Sequence, residues 1–148
     1  MKAAELARQV ERFQDACRAA GVKLTHQRLE IFREVMGSHE HPDAETVYRA
    51  VRRRLPTVSL DTVYRTLALL HELGFVSTLG PHRESVRYDA NLSPHHHFVC
   101  VQCGLARDFV EPDLKALGVP AAVGELGTVA EMHLEVRGLC AACAREAE

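Results

Sequence analysis

Ser59-Leu60-Asp61-Thr62-Val63-Tyr64-Arg65-Thr66-Leu67-Ala68-Leu69-Leu70-His71-Glu72-Leu73-Gly74 holds more information about the fold than any other segment of the chain. Ser59 is a good N-cap, Asp61 suits the positive end of a helix dipole, and Gly74 stands where a helix would stop. Between them Val63, Leu67, Leu70 and Leu73 fall on one face, while Thr62, Tyr64, Arg65, Thr66 and Ala68 face away. Hydroxyls, one arginine and small residues are what a recognition helix offers to base edges and phosphates. The same face also suits the solvated back of a core helix, so the neighbouring segments have to decide.

Upstream, three further helices are expected. Leu6, Val10, Phe13 and Cys17 recur at helical spacing before Gly21, and Cys17 on that stripe reads as a small buried hydrophobe. Thr25 caps a second helix from His26 to about Met36, with Leu29, Ile31, Phe32 and Val35 as its apolar content and Gly37 as its end. After His41-Pro42, Asp43 caps a third helix carrying Val47, Tyr48, Val51 and Leu55, closed by Pro56. Downstream, short strands at Phe75–Leu79 and Val86–Asp89 flank the turn-forming residues 80–84. Helices followed by such a hairpin predict a winged helix-turn-helix, with Arg83 at the wing tip placed to meet a phosphate.

Bulk properties narrow the class. At 148 residues, 47% hydrophobic and 26% charged, the chain has the composition of an ordinary soluble protein. It has no apolar run near the roughly 18–20 residues that span a bilayer, and Met1-Lys2-Ala3-Ala4-Glu5 lacks a signal-peptide core. A cytoplasmic location is therefore expected, with reduced thiols. The net charge of −2 divides unevenly: residues 1–90 carry 14 basic against 12 acidic side chains, and residues 91–148 carry 4 against 8. The basic excess lies with the helices, which is compatible with a nucleic-acid-facing half but equally with ordinary solvated charge.

Beyond the hinge Asn91-Leu92-Ser93-Pro94, the pairs Cys100/Cys103 and Cys140/Cys143 dominate. In a reducing compartment, two Cys-x-x-Cys pairs predict a closed four-thiolate zinc site. A segment of about 55 residues buries little core alone, so this zinc, one per subunit, is expected to be structural. Strands are expected at His97–Val101, Leu105–Val110 and Thr128–Arg137, with a short helix over Asp113–Leu117. The last strand alternates Ala130, Met132, Leu134 and Val136 against charged neighbours and is a candidate for pairing across a homodimer. The expected class is α+β: a DNA-binding domain over 1–90, a hinge over 91–94, and a small α/β metal-binding dimerisation domain over 95–148.

With these features the chain resembles the ferric uptake regulator family of metal-responsive bacterial repressors. The likeness rests on Leu24-Thr25-His26-Gln27-Arg28, His41-Pro42 before a helix, Ser59 through Leu67, His95-x-His97-x-x-Cys100-x-x-Cys103-Gly104, and Cys140-x-x-Cys143. His26 departs from the proline common in the family. The resemblance implies a regulatory metal, Fe²⁺ or Mn²⁺, one per subunit, at His41, Asp89, His95, His97 and Asp108. Imidazole and carboxylate donors suit those ions. It also implies binding of double-stranded, palindromic operator DNA through Tyr64 and Arg65, with Ser59, Thr62, Arg28 and Lys23 nearby.

Within the family, all four paired cysteines are taken by the structural site, which argues against a zinc sensor. The positions matching a further iron-branch site are Pro94, His96, Lys115 and Met132, where His96 alone is a credible ligand. Asp108 stands where iron sensors usually have Glu, which resembles the peroxide-sensing branch. That branch implies oxidation of His41 and His95 as the sensing event. The alternatives are a plain iron- or manganese-dosage repressor and, more remotely, a non-haem iron enzyme built on two histidines and a carboxylate.

Overall fold

The computed structural model describes residues 1–82, 85–113 and 118–148, and of residues 81 and 82 the backbone alone. Arg83, Lys115 and most of the helix expected over 113–117 thus lie outside the described residues. The chain forms two compact units, Met1–Leu92 and Ser93–Glu148.

In the first unit α1 (Ala3–Ala19), α2 (His26–Gly37), α3 (Ala44–Arg52) and α4 (Leu60–Glu72) precede a hairpin of β1 (Ser77–His82) and β2 (Ser85–Asp89). The three expected caps all form. Thr25 accepts from Arg28 N at 3.2 Å, Asp43 from Thr46 N at 2.8 Å, and Ser59 from Thr62 N at 3.1 Å. Each satisfies an amide that the helix itself leaves without an acceptor. Gly74 ends α4 at φ +80°, a conformation that suits glycine.

The core of this unit gathers Phe13, Ile31, Phe32, Val35, Val47, Val51, Val63, Leu67 and Leu70. Phe13 stacks on Phe32 with centroids 4.4 Å apart, and Phe75 meets the two rings edge-on at 5.6 and 5.5 Å. Phe75 and Val76 are therefore core residues ahead of the hairpin, and β1 starts at Ser77 rather than at Phe75. Cys17 is buried as expected, and burial pushes its thiol pKa up. Thr66 departs from the expected outward face: it is fully buried, its hydroxyl donating to the carbonyl of Thr62 at 2.7 Å. That bond lets a polar residue sit within the core face without an unmet hydroxyl.

In the second unit β3 (His96–Cys100) lies between β4 (Ala106–Phe109), antiparallel to it, and β5 (Glu135–Gly138), parallel to it. Two short helices complete the unit, α5 (Ala121–Gly124) and α6 (Ala141–Glu146). The strand expected over Thr128–Arg137 is corrected to Glu135–Gly138. Its partner limits its length. In the parallel register His97 pairs with Glu135, so residues before 134 would run past the start of β3 toward Pro94, which has no N–H to offer. The apolar cluster here is centred on Cys100, Cys140 and Cys143, with Phe98 and Leu105 against them.

The aromatic stack yields a direct test of the first unit. Phe32→Ala is expected to lower its stability by about 3–5 kcal/mol in urea unfolding followed by helical circular dichroism. A loss below about 1 kcal/mol would remove the stack as the centre of that core.

Candidate metal centres

The strand β3 ends at Cys100, and the chain turns back through Cys103 and Gly104. Gly104 adopts φ +82°, and its N–H donates to the Cys100 carbonyl at 3.0 Å. The turn thereby brings the first two sulfurs together. Cys140 caps α6, and Cys143 lies in its first turn. The four sulfurs lie within 4.8 Å of one another, and Cys103 and Cys140 are 3.8 Å apart. A tetrahedral ion with bonds of about 2.3 Å sets its sulfurs about 3.8 Å apart, whereas a disulfide needs about 2.05 Å.

Backbone amides point at these sulfurs. Cys140 N–H donates to Cys100 Sγ at 3.3 Å, Leu105 N–H to Cys103 Sγ at 3.4 Å, and Cys143 N–H to Cys140 Sγ at 3.5 Å. The amides of Cys103 and Cys140 hold the Cys100 thiol down at about 6, while hydrogen bonding to Cys140 and burial push the Cys143 thiol up to about 12. Amide donors thus favour negative charge in the cluster, and the closeness of its sulfurs resists the build-up of several charges at once. A divalent cation relieves that resistance, and the soft, tetrahedral donor set fits Zn²⁺.

A second donor group in the same unit uses harder atoms. His97 on β3 is the register partner of Asp108 on β4, and His95 precedes His97 by the two residues that keep a strand face. His95 Nε2 and His97 Nε2 are 3.0 Å apart, and Asp108 Oδ1 lies 3.6 and 3.4 Å from them. Donors at right angles about 2.1 Å from one ion stand about 3.0 Å apart, so the trio fits one face of an octahedral ion. His95 Nδ1 bonds the Ser93 carbonyl, which orients the ring with Nε2 toward His97. His96 is engaged elsewhere, its Nδ1 accepting from Leu134 N–H at 2.9 Å and so pinning the approach to β5. His133 is exposed, with its ring 6.5 Å from that of His97.

The first unit holds a donor pair of its own, His41 and Asp89, with His41 Nε2 3.4 Å from Asp89 Oδ2. Both side chains are buried. Asp89 Oδ1 accepts from Asn91 N–H at 2.9 Å, which fixes the carboxylate. His41 has φ +51°, the one non-glycine residue with positive φ among the described residues. That conformation costs about 1–2 kcal/mol. It is held by Arg87 of β2, whose Nε donates to the His41 carbonyl at 2.7 Å and whose Nη2 donates to the Glu40 carbonyl at 2.8 Å. Tyr88 N–H adds a bond to the Pro42 carbonyl at 2.9 Å. Sequence reasoning missed Arg87, although its placement two residues before Asp89 puts both on one side of the strand.

On α4, Tyr64 is exposed, and Arg65 Nε sits 2.9 Å from Asp61 Oδ2. Ser59 and Thr62 share a hydroxyl hydrogen bond at 2.9 Å at the helix start. The Arg28 guanidinium donates to the Lys23 carbonyl.

The profile described as the ferric uptake regulator family matches residues 19–136. The chain belongs to that family, whose members are metal-dependent transcription regulators and not enzymes. Among relatives, the peroxide-responsive repressor PerR of Staphylococcus epidermidis is 34% identical over 129 residues, spanning 87% of this chain and 86% of the relative. Among solved structures, PerR from Streptococcus pyogenes, described for peroxide sensing and gene regulation, matches with a TM-score of 0.52 and 30% identity over 90% of this chain and 92% of that one. The Helicobacter pylori ferric uptake regulator, described as having three functional metal-binding sites, shares the fold at a TM-score of 0.82 and 24% identity, covering 94% of this chain and 93% of that one.

Cys140→Ser tests the thiolate centre. The variant is expected to lose its zinc and, with it, the ordered second unit, read as metal content by mass spectrometry and as loss of amide-exchange protection over 96–109. Protection retained without zinc would make the sulfur cluster dispensable to the fold.

Proposed function

We propose that the protein is a cytoplasmic homodimeric repressor that binds operator DNA when Fe²⁺ or Mn²⁺ occupies His41, Asp89, His95, His97 and Asp108, and that senses peroxide through its histidines. The zinc at Cys100, Cys103, Cys140 and Cys143 has a structural role. The observation that carries the reading is the close set formed by His95 Nε2, His97 Nε2 and Asp108 Oδ1, at 3.0, 3.4 and 3.6 Å. Its carboxylate is the shorter Asp, and the Staphylococcus relative named a peroxide-responsive repressor supports the sensing assignment.

Ferrous iron, when bound, supplies the electrons that reduce peroxide beside these imidazoles. His41 and His95 are the rings assigned to gain oxygen; an oxidised ring is a poorer donor, so the ligand set is lost and the DNA-binding form is no longer favoured. Tyr64 and Arg65 are the assigned base and phosphate contacts, with Ser59 and Thr62 at the helix start and Arg28 and Lys23 toward the backbone. The outer edge of β5 is the assigned dimer contact, since β5 ends the order β4-β3-β5 and its far side pairs with no described strand.

Two measurements test the proposal. Protein loaded with Fe²⁺ without oxygen and given a small peroxide pulse is expected to gain one oxygen on His41 or His95 by peptide mass spectrometry, with no gain in a Mn²⁺-loaded control. Unoxidised histidines in an iron-filled protein would leave a metal-dosage repressor. Arg65→Ala is expected to weaken operator binding by about 1–3 kcal/mol at fixed salt with metal content unchanged. Unaltered affinity would acquit α4 of reading DNA.

A further inference from the structure

We infer that Arg87 is the positioning residue for the regulatory ligand His41, holding that residue's strained backbone in the pose that presents its imidazole beside Asp89. The inference rests on His41 being a metal ligand, as proposed above. Two donors of one guanidinium reach two successive carbonyls, those of Glu40 and His41, at 2.8 and 2.7 Å. Such a fork fixes the direction of both peptide planes, and a single-point donor cannot do so.

The carbonyls belong to the loop between α2 and α3, and the guanidinium comes from the middle of β2, 46 residues away in sequence. Arg87 also forms an isolated bridge with Asp43, so the strand and the loop are stitched on both sides of His41. Two residues on, the same strand places Asp89 Oδ2 3.4 Å from His41 Nε2. One strand therefore holds His41 at both ends, its backbone through Arg87 and its ring through Asp89.

A left-handed residue other than glycine persists when its surroundings over-determine it. Here the guanidinium fork supplies that restraint. Without it, the His41 backbone is free to return to negative φ, which turns the ring away from Asp89. Arg87 then acts on metal affinity through His41 alone and touches no metal itself.

The test is Mn²⁺ binding to zinc-loaded wild type, Arg87→Ala, Arg87→Lys, His41→Ala and the double variant Arg87→Ala/His41→Ala, with melting temperature and zinc content measured in parallel. Arg87→Ala is expected to weaken Mn²⁺ by about 10–100-fold with zinc retained. Arg87→Lys, one donor in place of the fork, should recover part of that loss. In the double variant the arginine change should add nothing to the His41→Ala defect. Wild-type Mn²⁺ affinity in Arg87→Ala beside a defective His41→Ala overturns the inference, and so do additive defects in the double variant. Should Arg87→Ala lose its zinc or melt early, Arg87→Lys decides alone: wild-type affinity in that variant overturns the inference. A His41→Ala protein that binds Mn²⁺ normally would instead remove His41 from the ligand set, and the inference with it.

Discussion

Among the described residues of the second unit, a buried cluster is built on sulfur: Cys100, Cys140 and Cys143, with Phe98 and Leu105 packed on them. A parallel pairing such as β3 with β5 brings together segments far apart in sequence, and its closure entropy has to be met from somewhere. Zinc held by the four thiolates supplies that closure, because the metal joins the turn after β3 to the start of α6. The histidine–carboxylate group on β3 and β4 depends on the same construction. β3 ends in one of the zinc-site cysteines and carries His97, so whatever fixes Cys100 also fixes the register that faces His97 with Asp108.

The first unit needs no such help. Its helices bury a continuous aliphatic and aromatic core, and each cap is written locally in the sequence. Yet, among the described residues, it contains the one costly backbone conformation outside glycine, at His41. Strain of this kind is tolerable on a well-packed unit, where the stability of the whole exceeds the penalty of the part.

The difference between what was legible and what was not follows from range. The caps of α2, α3 and α4, and the stops and stripes that mark α1–α4, act over three or four residues, so the sequence shows them plainly. The cysteine pairs were legible because two intervening residues are a geometric statement about one ion. Thr66 was read as outward-facing because a hydroxyl reads as polar; its bond to the Thr62 carbonyl, which makes burial tolerable, leaves no separate mark in a hydropathy pattern. The strand over 128–137 was drawn too long for a similar reason. Alternation at Ala130, Met132, Leu134 and Val136 says which side faces in, but its length was set by where β3 begins, some 35 to 40 residues earlier. Arg87 was silent altogether, since an arginine on an edge strand reads as solvated and its carbonyl partners lie at Glu40 and His41.

For the DNA-binding role proposed for α4, one last feature bears on selectivity. Arg65 and Asp61 stand one helical turn apart on the open face of α4, paired at 2.9 Å and together electrically neutral. A polyanion approaching that patch meets no net attraction from it, and a phosphate must displace a carboxylate before it can take the guanidinium. Such a pair releases fewer counterions than a bare arginine would, which blunts the indiscriminate, salt-driven grip that any duplex exerts on a basic surface. In that proposed role, a helix built this way lingers less on the wrong sequence, and Asp61 sets the threshold.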